Sequence, residues 1–443
     1  MKIKHLLYLF FLINSMLISA QEIGLKLMEN VKSETIPFQL IKNLVVIPVE
    51  LNGHDMNFIV DSGLREIILF SQFNNALDHK TLQKVNLKGL GNNEEGTIGY
   101  YSSENSLFIG ENYYSTKTPI IIIQDQNFDL FSRLGIDVHG IIGYEFFRNY
   151  PVKIDYSKGK ITIYKSILNV KKIKKYESDN LEISAEKKPF LNINFNHYKD
   201  YNNQKMLIDI GNSDGLWLFK NEIDNLHLPN NVFYDELGKG FNGIISGERG
   251  TVNRVNIGKY EFEQPLIAIP NPESIQFINV KNNRKGSVGN EILRRFTLIL
   301  DYNNAKIYYK PNKNFDDAFH YNRSGLTIVH ANFEWKKESI GIILDTKETN
   351  EDGMKTMHKM SYQYVMKPIY KIETVRKKSN AEFAGLKAND QLEKLNGKNV
   401  SKMTLTDIEN FMRNNEHQEI SIEILRNNQS MKFKFILDIP FTN

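Results

Sequence analysis

Two short acidic motifs occupy corresponding places in the 443-residue chain, each flanked by apolar stretches. Asp61-Ser62-Gly63 follows MNFIV and comes shortly before IILF, and Asp209-Ile210-Gly211 follows QKMLI and comes shortly before LWLF. If folding brings the two carboxyl groups within a few ångströms, they cannot both ionise freely and they share one proton. One aspartate then accepts a proton from water while the other donates to a peptide carbonyl oxygen. A pair of this kind needs neither a metal nor a covalent intermediate to promote hydrolysis.

The acidic motifs belong to an internal repeat. Their aspartates are 148 positions apart, and the segments SLFIGENYYSTKTPIIII and NRVNIGKYEFEQPLIAIP align at the same offset. The segments HGIIGYEFFRNYPVKIDYSKGKITIYK and KGSVGNEILRRFTLILDYNNAKIYYKP align at an offset of 146. Three anchors at nearly one offset predict two similar lobes, residues 35–167 and 178–312.

Short strands dominate the pattern of both lobes. Alternating or continuous β-branched stretches such as LVVIPVEL, KITIY and AKIYY recur, separated by glycine, asparagine or aspartate turns. The segments YEFFRNY and NEILRRF each predict one short helix, directly after the Gly-x-x-Gly of each repeat. The expected fold class is therefore mainly β.

The two repeats resemble the lobes of pepsin- and retropepsin-type aspartic proteases. In that family each lobe supplies an Asp-Thr/Ser-Gly loop, and a later apolar-apolar-Gly passage runs beneath it; Ile141-Ile142-Gly143 and Ser287-Val288-Gly289 fit that passage. The resemblance implies two pseudo-symmetric β-barrel lobes, no cofactor and a peptide or protein substrate. It also implies catalytic roles for Asp61 and Asp209, with Ser62, Gly63 and Gly211 supporting their loops.

Two departures from the family pattern keep a second function open. Ile210 stands where the family has a threonine or serine, and Leu64 stands where it has a small residue. The first removes a hydroxyl that locks the loops together, and the second narrows the mouth of the site. The alternative is a catalytically inactive pseudo-protease that binds peptide or protein without cutting it.

The resemblance also implies a mobile cover over the site. Each lobe has a glycine-rich segment at the expected place, residues 89–101 and 238–250. Glycine permits the bending that a hairpin flap needs. Tyr100 or Tyr101 is the candidate aromatic residue near a flap tip.

The repeat stops after residue 312, and a third unit is expected over residues 320–440. VRKKSNAEFAGLKANDQLEKLNGKNV resembles the core of a PDZ domain, an α+β module that binds an extended peptide or C-terminus along a sheet edge. Gly325 and Leu326 are the candidates for its carboxylate-binding loop, and Thr406 with Glu409 is the candidate helix capping box. A packing module without a free ligand remains the alternative.

The N-terminal sequence MKIKHLLYLFFLINSMLISAQE predicts a signal peptide over residues 1–20. We therefore expect an exported protein, periplasmic or secreted, without a stable membrane span after cleavage; an uncleaved anchor is the alternative. A net charge of +4 gives no broad footprint for nucleic acid. There is no cysteine, and no His-Glu-x-x-His motif predicts a zinc site. We expect no metal and no cofactor.

Overall fold

The computed structural model describes residues 24–70, 82–123, 130–278, 283–340, 346–348, 355–357, 361–415 and 417–438. The predicted signal peptide lies outside these residues. Strands dominate the described chain, so the expectation of a mainly β protein is confirmed. The described residues form four main sheets and a separate two-stranded ribbon.

The first sheet is formed by strands from the N-terminal repeat. Twelve strands lie in this part of the chain: β1 (Lys26–Leu27), β2 (Ser33–Pro37), β3 (Gln39–Ile41), β4 (Leu44–Leu51), β5 (His54–Val60), β6 (Ile67–Phe70), β7 (Gln83–Leu87), β8 (Thr97–Ile109), β9 (Tyr113–Ile123), β10 (Gly140–Ile142), β11 (Val152–Asp155) and β12 (Lys160–Tyr164). The sheet order is β1-β9-β6-β10-β5-β4-β8-β7, with β3 paired to β4. Strands β8 and β9 also pair with each other, which closes the sheet into a barrel.

The second sheet repeats this plan. Its part of the chain contains β13 (Glu177–Asn180), β14 (Glu182–Ile183), β15 (Pro189–His197), β16 (Lys199–Ile208), β17 (Leu216–Leu218), β18 (Phe233–Gly240), β19 (Gly243–Thr251), β20 (Arg254–Ile257), β21 (Tyr260–Glu263), β22 (Leu266–Pro270), β23 (Gly286–Val288), β24 (Phe296–Asp301) and β25 (Lys306–Pro311). The order is β18-β19-β22-β17-β23-β16-β15-β20-β21, with β14 paired to β15. No pairing within the described residues closes it, so the second predicted barrel is an open sheet.

A third sheet joins the two repeats. Its order is β13-β25-β24-β11-β12-β2, and its central contact is the antiparallel pair of β11 with β24. Val152 lies opposite Leu300 in this pair, and both side chains are fully buried. One apolar cluster extends through the interiors of both repeats and this shared sheet, and such burial is the main favourable contribution to folding. The two acidic motifs are therefore carried by a single packed body.

In the described part of the chain, six α-helices and three single-turn 3-10 helices connect the strands. The α-helices are α1 (Leu130–Leu134), α2 (Tyr144–Phe147), α3 (Pro272–Ile275), α4 (Asn290–Leu293), α5 (Asn380–Ala384) and α6 (Leu405–Asn414); the 3-10 helices are Ile167–Asn169, Ile173–Lys175 and Val400–Lys402. Helices α2 and α4 lie within the two segments predicted from YEFFRNY and NEILRRF. Helix α2 follows strand β10, and helix α4 follows strand β23.

The C-terminal sheet has its own apolar core, centred on Ile372, Ile408 and Ile422. The remaining strands are β26 (Leu326–Ile340), β27 (Thr346–Glu348), β28 (Lys355–Met357), β29 (Ser361–Val375), β30 (Gln391–Leu395), β31 (Lys398–Asn399), β32 (Glu419–Arg426) and β33 (Gln429–Ile436). The sheet order is β26-β29-β30-β32-β33, with β31 paired to β30, while β27 and β28 form the ribbon.

The predicted N-cap of helix α6, Thr406, is wrong by two residues. The N-cap is Thr404, whose hydroxyl accepts the Asp407 amide hydrogen while the Asp407 carboxylate accepts the Thr404 amide hydrogen. Thr406 and Glu409 lie inside the helix. A serine or threonine followed three residues later by an acid occurs twice here, and the apolar face of the helix selects the earlier pair.

Candidate active site

The two acidic loops leave the first and second sheets in equivalent ways. The Asp61 amide donates to Ile142 O at 3.0 Å, and the Asp209 amide donates to Val288 O at 2.9 Å. In both cases the preceding strand runs parallel to the strand that supplies the acceptor, β5 beside β10 and β16 beside β23. The repeat seen in the sequence is therefore also a repeat of backbone hydrogen bonds.

Ser62 joins the two loops. Its hydroxyl donates to Ile208 O at 2.6 Å and accepts the Ile210 amide hydrogen at 2.9 Å. The side chain is fully buried, so these bonds form away from water. Ser62 therefore holds the backbone on both sides of Asp209.

The glycines of the two motifs lie against the opposite carboxyl groups. An ideal Cβ placed on Gly211 would stand 2.2 Å from Asp61 Cγ, and one placed on Gly63 would stand 3.1 Å from Asp209 Oδ1. Gly63 also donates its amide hydrogen to Asp61 Oδ1 at 2.7 Å. The structure thus brings Asp61, Gly63, Asp209 and Gly211 together around one point.

Burial and mutual repulsion change the acidity of this pair. Desolvation is the largest cause that raises the pKa of both aspartates, and the charge of Asp61 adds to the shift at Asp209, whose pKa rises to about 7. Asp209 is 9% exposed, whereas Asp61 keeps more contact with solvent. The pair is therefore suited to hold one proton in weakly acidic solution.

Two positively charged side chains near the aspartate pair were not predicted from the sequence. Lys188 and Arg284 both act to lower the pKa values of Asp61 and Asp209. Arg284 is buried and donates to Gly286 O at 3.0 Å and to Ser287 Oγ at 3.1 Å. Desolvation lowers the pKa of Lys188, which lies at the start of β15. Neither residue belongs to a repeated motif, so no sequence signal identified them.

Asn290 is a second residue that sequence reasoning missed. It stands directly after Gly289 in the predicted apolar-apolar-Gly passage and is fully buried. Its side-chain amide donates to Ile210 O at 2.6 Å and to Asn43 O at 2.7 Å, and its oxygen accepts from the Tyr156 hydroxyl at 2.7 Å. Asn290 thus anchors the loop at Ile210, where the hydroxyl expected from the family is absent.

Both glycine-rich segments form hairpins, and the hairpin turns lock into each other. The first hairpin turn is residues 88–96, between β7 and β8, and the second is residues 241–242, between β18 and β19. Asn242, in the second turn, is fully buried against the first turn. Its amide donates to Leu90 O at 2.9 Å, and its side-chain oxygen accepts the Gly89 amide hydrogen at 2.6 Å.

Each hairpin turn also packs an apolar side chain against the other repeat. Phe241 packs on the cluster beside the first sheet that also holds Leu64, while Leu90 packs on the cluster around Trp217 in the second. Tyr100 and Tyr101, the predicted tip residues, instead lie in the body of β8, opposite Lys84 and Gln83 of β7. The aromatic residue at a hairpin tip is therefore Phe241.

Backbone groups of the predicted carboxylate-binding loop already form hydrogen bonds within the C-terminal unit. The Leu326 amide donates to Ser324 Oγ at 3.0 Å, and Gly325 O accepts the Arg376 amide hydrogen at 2.7 Å. Leu326 is 1% exposed and belongs to the core. Gly325 and Thr327 line a cavity of about 1150 Å³ between this sheet and the second one.

The described residues contain no group of three or more His, Cys, Asp or Glu side chains placed to hold a metal ion. No helix in the described part of the chain has the length and apolar character of a membrane span.

Comparison with known proteins identifies the C-terminal part of the chain. The family model of the PDZ domain matches residues 371–426. No curated protein matches the chain significantly. Among solved structures, the chain is similar to Basic 7S globulin from soybean, at 9% sequence identity and a TM-score of 0.40, over 65% of this chain and 98% of that one. Residues 371–426 therefore form a PDZ domain, a module that docks peptides or protein partners.

Proposed function

We propose that this chain is an aspartic-type endopeptidase that hydrolyses peptide bonds through Asp61, Asp209 and an activated water. The observation that carries the proposal is the mutual approach of the two loops, in which Gly211 lies against the Asp61 carboxyl group and Gly63 against that of Asp209. The pKa of about 7 at Asp209 supports a shared proton. The PDZ domain adds a docking site for a peptide or protein partner.

The proposed reaction needs the pair in its singly protonated form. The ionised aspartate removes a proton from water as the water attacks the peptide carbonyl carbon, and the protonated aspartate donates to the carbonyl oxygen. The aspartate that took the proton from water then donates it to the leaving amine nitrogen as the carbon–nitrogen bond breaks, and the other aspartate regains a proton from a hydroxyl of the tetrahedral intermediate. Ser62 and Asn290 act as positioning residues, since they bond the backbone of the loop that carries Asp209.

Substrate entry requires the locked hairpin turns to separate. A peptide long enough to lie across the pair has to pass between Asn242 and the first hairpin turn, which are hydrogen bonded in this conformation. Loop opening of this kind sets the rate of many enzymes. We therefore propose that the hairpins are flaps that close over bound peptide.

A mixed peptide library incubated between about pH 3 and 7 tests the activity. Asp61→Asn and Asp209→Asn are expected to lower the cleavage rate by about 100- to 10,000-fold. Asp224→Asn is the matched control, because Asp224 is exposed and outside both motifs. Cleavage that survives both active-site substitutions and pepstatin-like inhibitors would contradict the aspartic mechanism.

Peptide binding without cleavage is the second candidate function. It is favoured by Ile210, a fully buried apolar side chain where the family has a locking hydroxyl. In this case the same library gives no products at any pH, but labelled peptides bind saturably. Asp61→Asn would then leave peptide affinity unchanged within about threefold, because no proton transfer is involved.

We also propose that the protein is exported, on the strength of residues 1–20. Mass spectrometry of the mature protein is expected to show an N-terminus after Ala20. A full-length N-terminus on protein purified from the cell envelope would contradict cleavage.

A further inference from the structure

The sheet that contains the PDZ domain presents one edge strand to another part of the same chain. β26 is an edge strand, and α6 contacts it. A peptide ligand of a PDZ domain adds to a sheet edge as an extra strand. Here α1 from the first repeat lies against β26, and an ideal Cβ on Gly135, the residue that follows α1, would stand 3.3 Å from Leu405 Cβ, at the start of α6. One segment therefore contacts both the strand and the helix.

Charged side chains hold this segment in place. Arg133 Nη2 lies 3.0 Å from Glu373 Oε2 and 2.8 Å from Glu236 Oε1. Glu373 belongs to β29, between the residues paired with Thr327 and Ile328 at the start of β26. A second ion pair, 2.5 Å from Lys42 Nζ to Glu409 Oε1, ties the first repeat to α6. All of these side chains are partly shielded from solvent.

We propose that residues 130–135, as a helical segment and not as an added strand, cover the peptide-binding edge of the PDZ domain within the same chain, and that an external peptide binds only after displacing them. Because the segment belongs to the same chain, its docking is intramolecular, so a competing peptide must bind tightly or be abundant. Arg133 also contacts Glu236 in β18, the strand that leads to Asn242. Displacement would therefore release a contact on the second flap.

The hydrogen bonding of the carboxylate-binding loop is consistent with occupation by a segment that has no free C-terminus. Residues 130–135 are internal and carry no terminal carboxylate. The Leu326 amide, which would hold such a carboxylate, is already bonded to Ser324 Oγ. An external C-terminal peptide would need this bond to break, which adds a second barrier to displacement.

A disulfide crosslink tests the docking in the full chain. Because the protein has no cysteine, Gly135→Cys with Leu405→Cys introduces the only pair. The 3.3 Å separation is near the roughly 3.8 Å mean Cβ distance of disulfides. We expect rapid intramolecular oxidation of this pair and none for Gly135→Cys with Lys432→Cys, which shares the strain at residue 135. Equal, slow oxidation of both pairs would overturn the proposal.

Charge reversal provides a second test by hydrogen exchange. Arg133→Glu opposes two acidic partners, so amides of residues 326–332 are expected to exchange at least tenfold faster, while Arg254→Glu leaves them unchanged. Adding Glu373→Arg to the Arg133→Glu variant is expected to restore protection. Unchanged exchange in the Arg133→Glu variant would overturn the docking. The effect on the second flap rests on the proposed peptidase function and is measured separately. We expect the Arg133→Glu variant to cleave peptide faster.

Discussion

Gly211 lies so close to Asp61 that no side chain fits between them: an ideal Cβ would stand 2.2 Å from Asp61 Cγ and 2.5 Å from each carboxylate oxygen. The counterpart at Gly63 is looser, with 3.1 Å to the nearest oxygen of Asp209. The second loop therefore comes closer to the first aspartate than the first loop does to the second. This asymmetry makes the two glycines unequal in what they tolerate.

Gly211→Ala is expected to abolish peptide cleavage, because the methyl group displaces the Asp61 carboxyl group. Gly63→Ala is expected to be milder, since its nearest neighbours need to move by only a few tenths of an ångström. The measurement is kcat/KM for both variants, with thermal unfolding as a check on folding. An active Gly211→Ala variant would contradict the close approach of the loops.

Stability is expected to fall as pH rises from about 4 to about 7. The folded-state pKa of Asp209 is raised to about 7, so the folded protein binds a proton over this window that the unfolded chain has already released. The contribution is present below the unfolded pKa and is lost as pH rises through the folded one. Asp209→Asn removes the effect, so its Tm should vary less over this range. Parallel Tm profiles for the two proteins would contradict the shift.

Lys188→Met is expected to move the alkaline limb of the activity profile to higher pH. The ammonium group of Lys188 lowers the pKa values of both aspartates, so removing its charge lets the pair keep its shared proton further into the alkaline range. Lys187→Met is the matched control, because Lys187 is exposed and is not among the main charges that shift the pKa values of the pair. The measurement is kcat/KM as a function of pH. A shift to lower pH in the Lys188→Met variant would contradict this assignment.

Ser62→Ala is expected to destabilise the protein by about 1–3 kcal/mol, the usual effect of leaving a buried polar group without its partner. The Ile210 amide loses its acceptor and Ile208 O loses a donor. Ser62→Thr keeps the hydroxyl and serves as the comparison. Denaturant unfolding measures the difference, and equal stability of Ser62→Ala and the unchanged protein would argue against a locking role.

Asn242→Ala is expected to unlock the hairpin turns. It removes the side-chain bonds to the Gly89 amide and to Asn93 O but keeps the backbone bond to Leu90 O, so the tips loosen without losing all contact. We expect faster hydrogen exchange at residues 88–96 and an altered KM. Glu94→Ala, an exposed position in the same turn, is the control. Identical exchange in both variants would show that Asn242 does not hold the flaps.

Local pattern was sufficient to place the acidic loops at strand ends and to recognise the PDZ core. Asn389 illustrates why: its backbone is left-handed, with φ of 71°, a conformation that asparagine adopts more easily than most residues. The prediction for the N-cap of helix α6 was wrong because local sequence alone does not decide it. Thr404 and Thr406 offer similar local signals, and packing of Leu405 and Ile408 into the core decides between them.

The amino-acid sequence by itself determined the duplication, the mainly β character, the two Asp-x-Gly loops and the C-terminal PDZ domain, because each depends on periodicity or on residues adjacent in the chain. Only the tertiary structure decided which distant groups meet. Three contacts show this: Lys188 and Arg284 lie near the aspartates, Asn242 bonds to the first hairpin turn, and Arg133 pairs with Glu373. The residues in each contact are far apart in the sequence or lie outside any repeat. Such contacts follow from the packing of whole sheets, which no local pattern encodes.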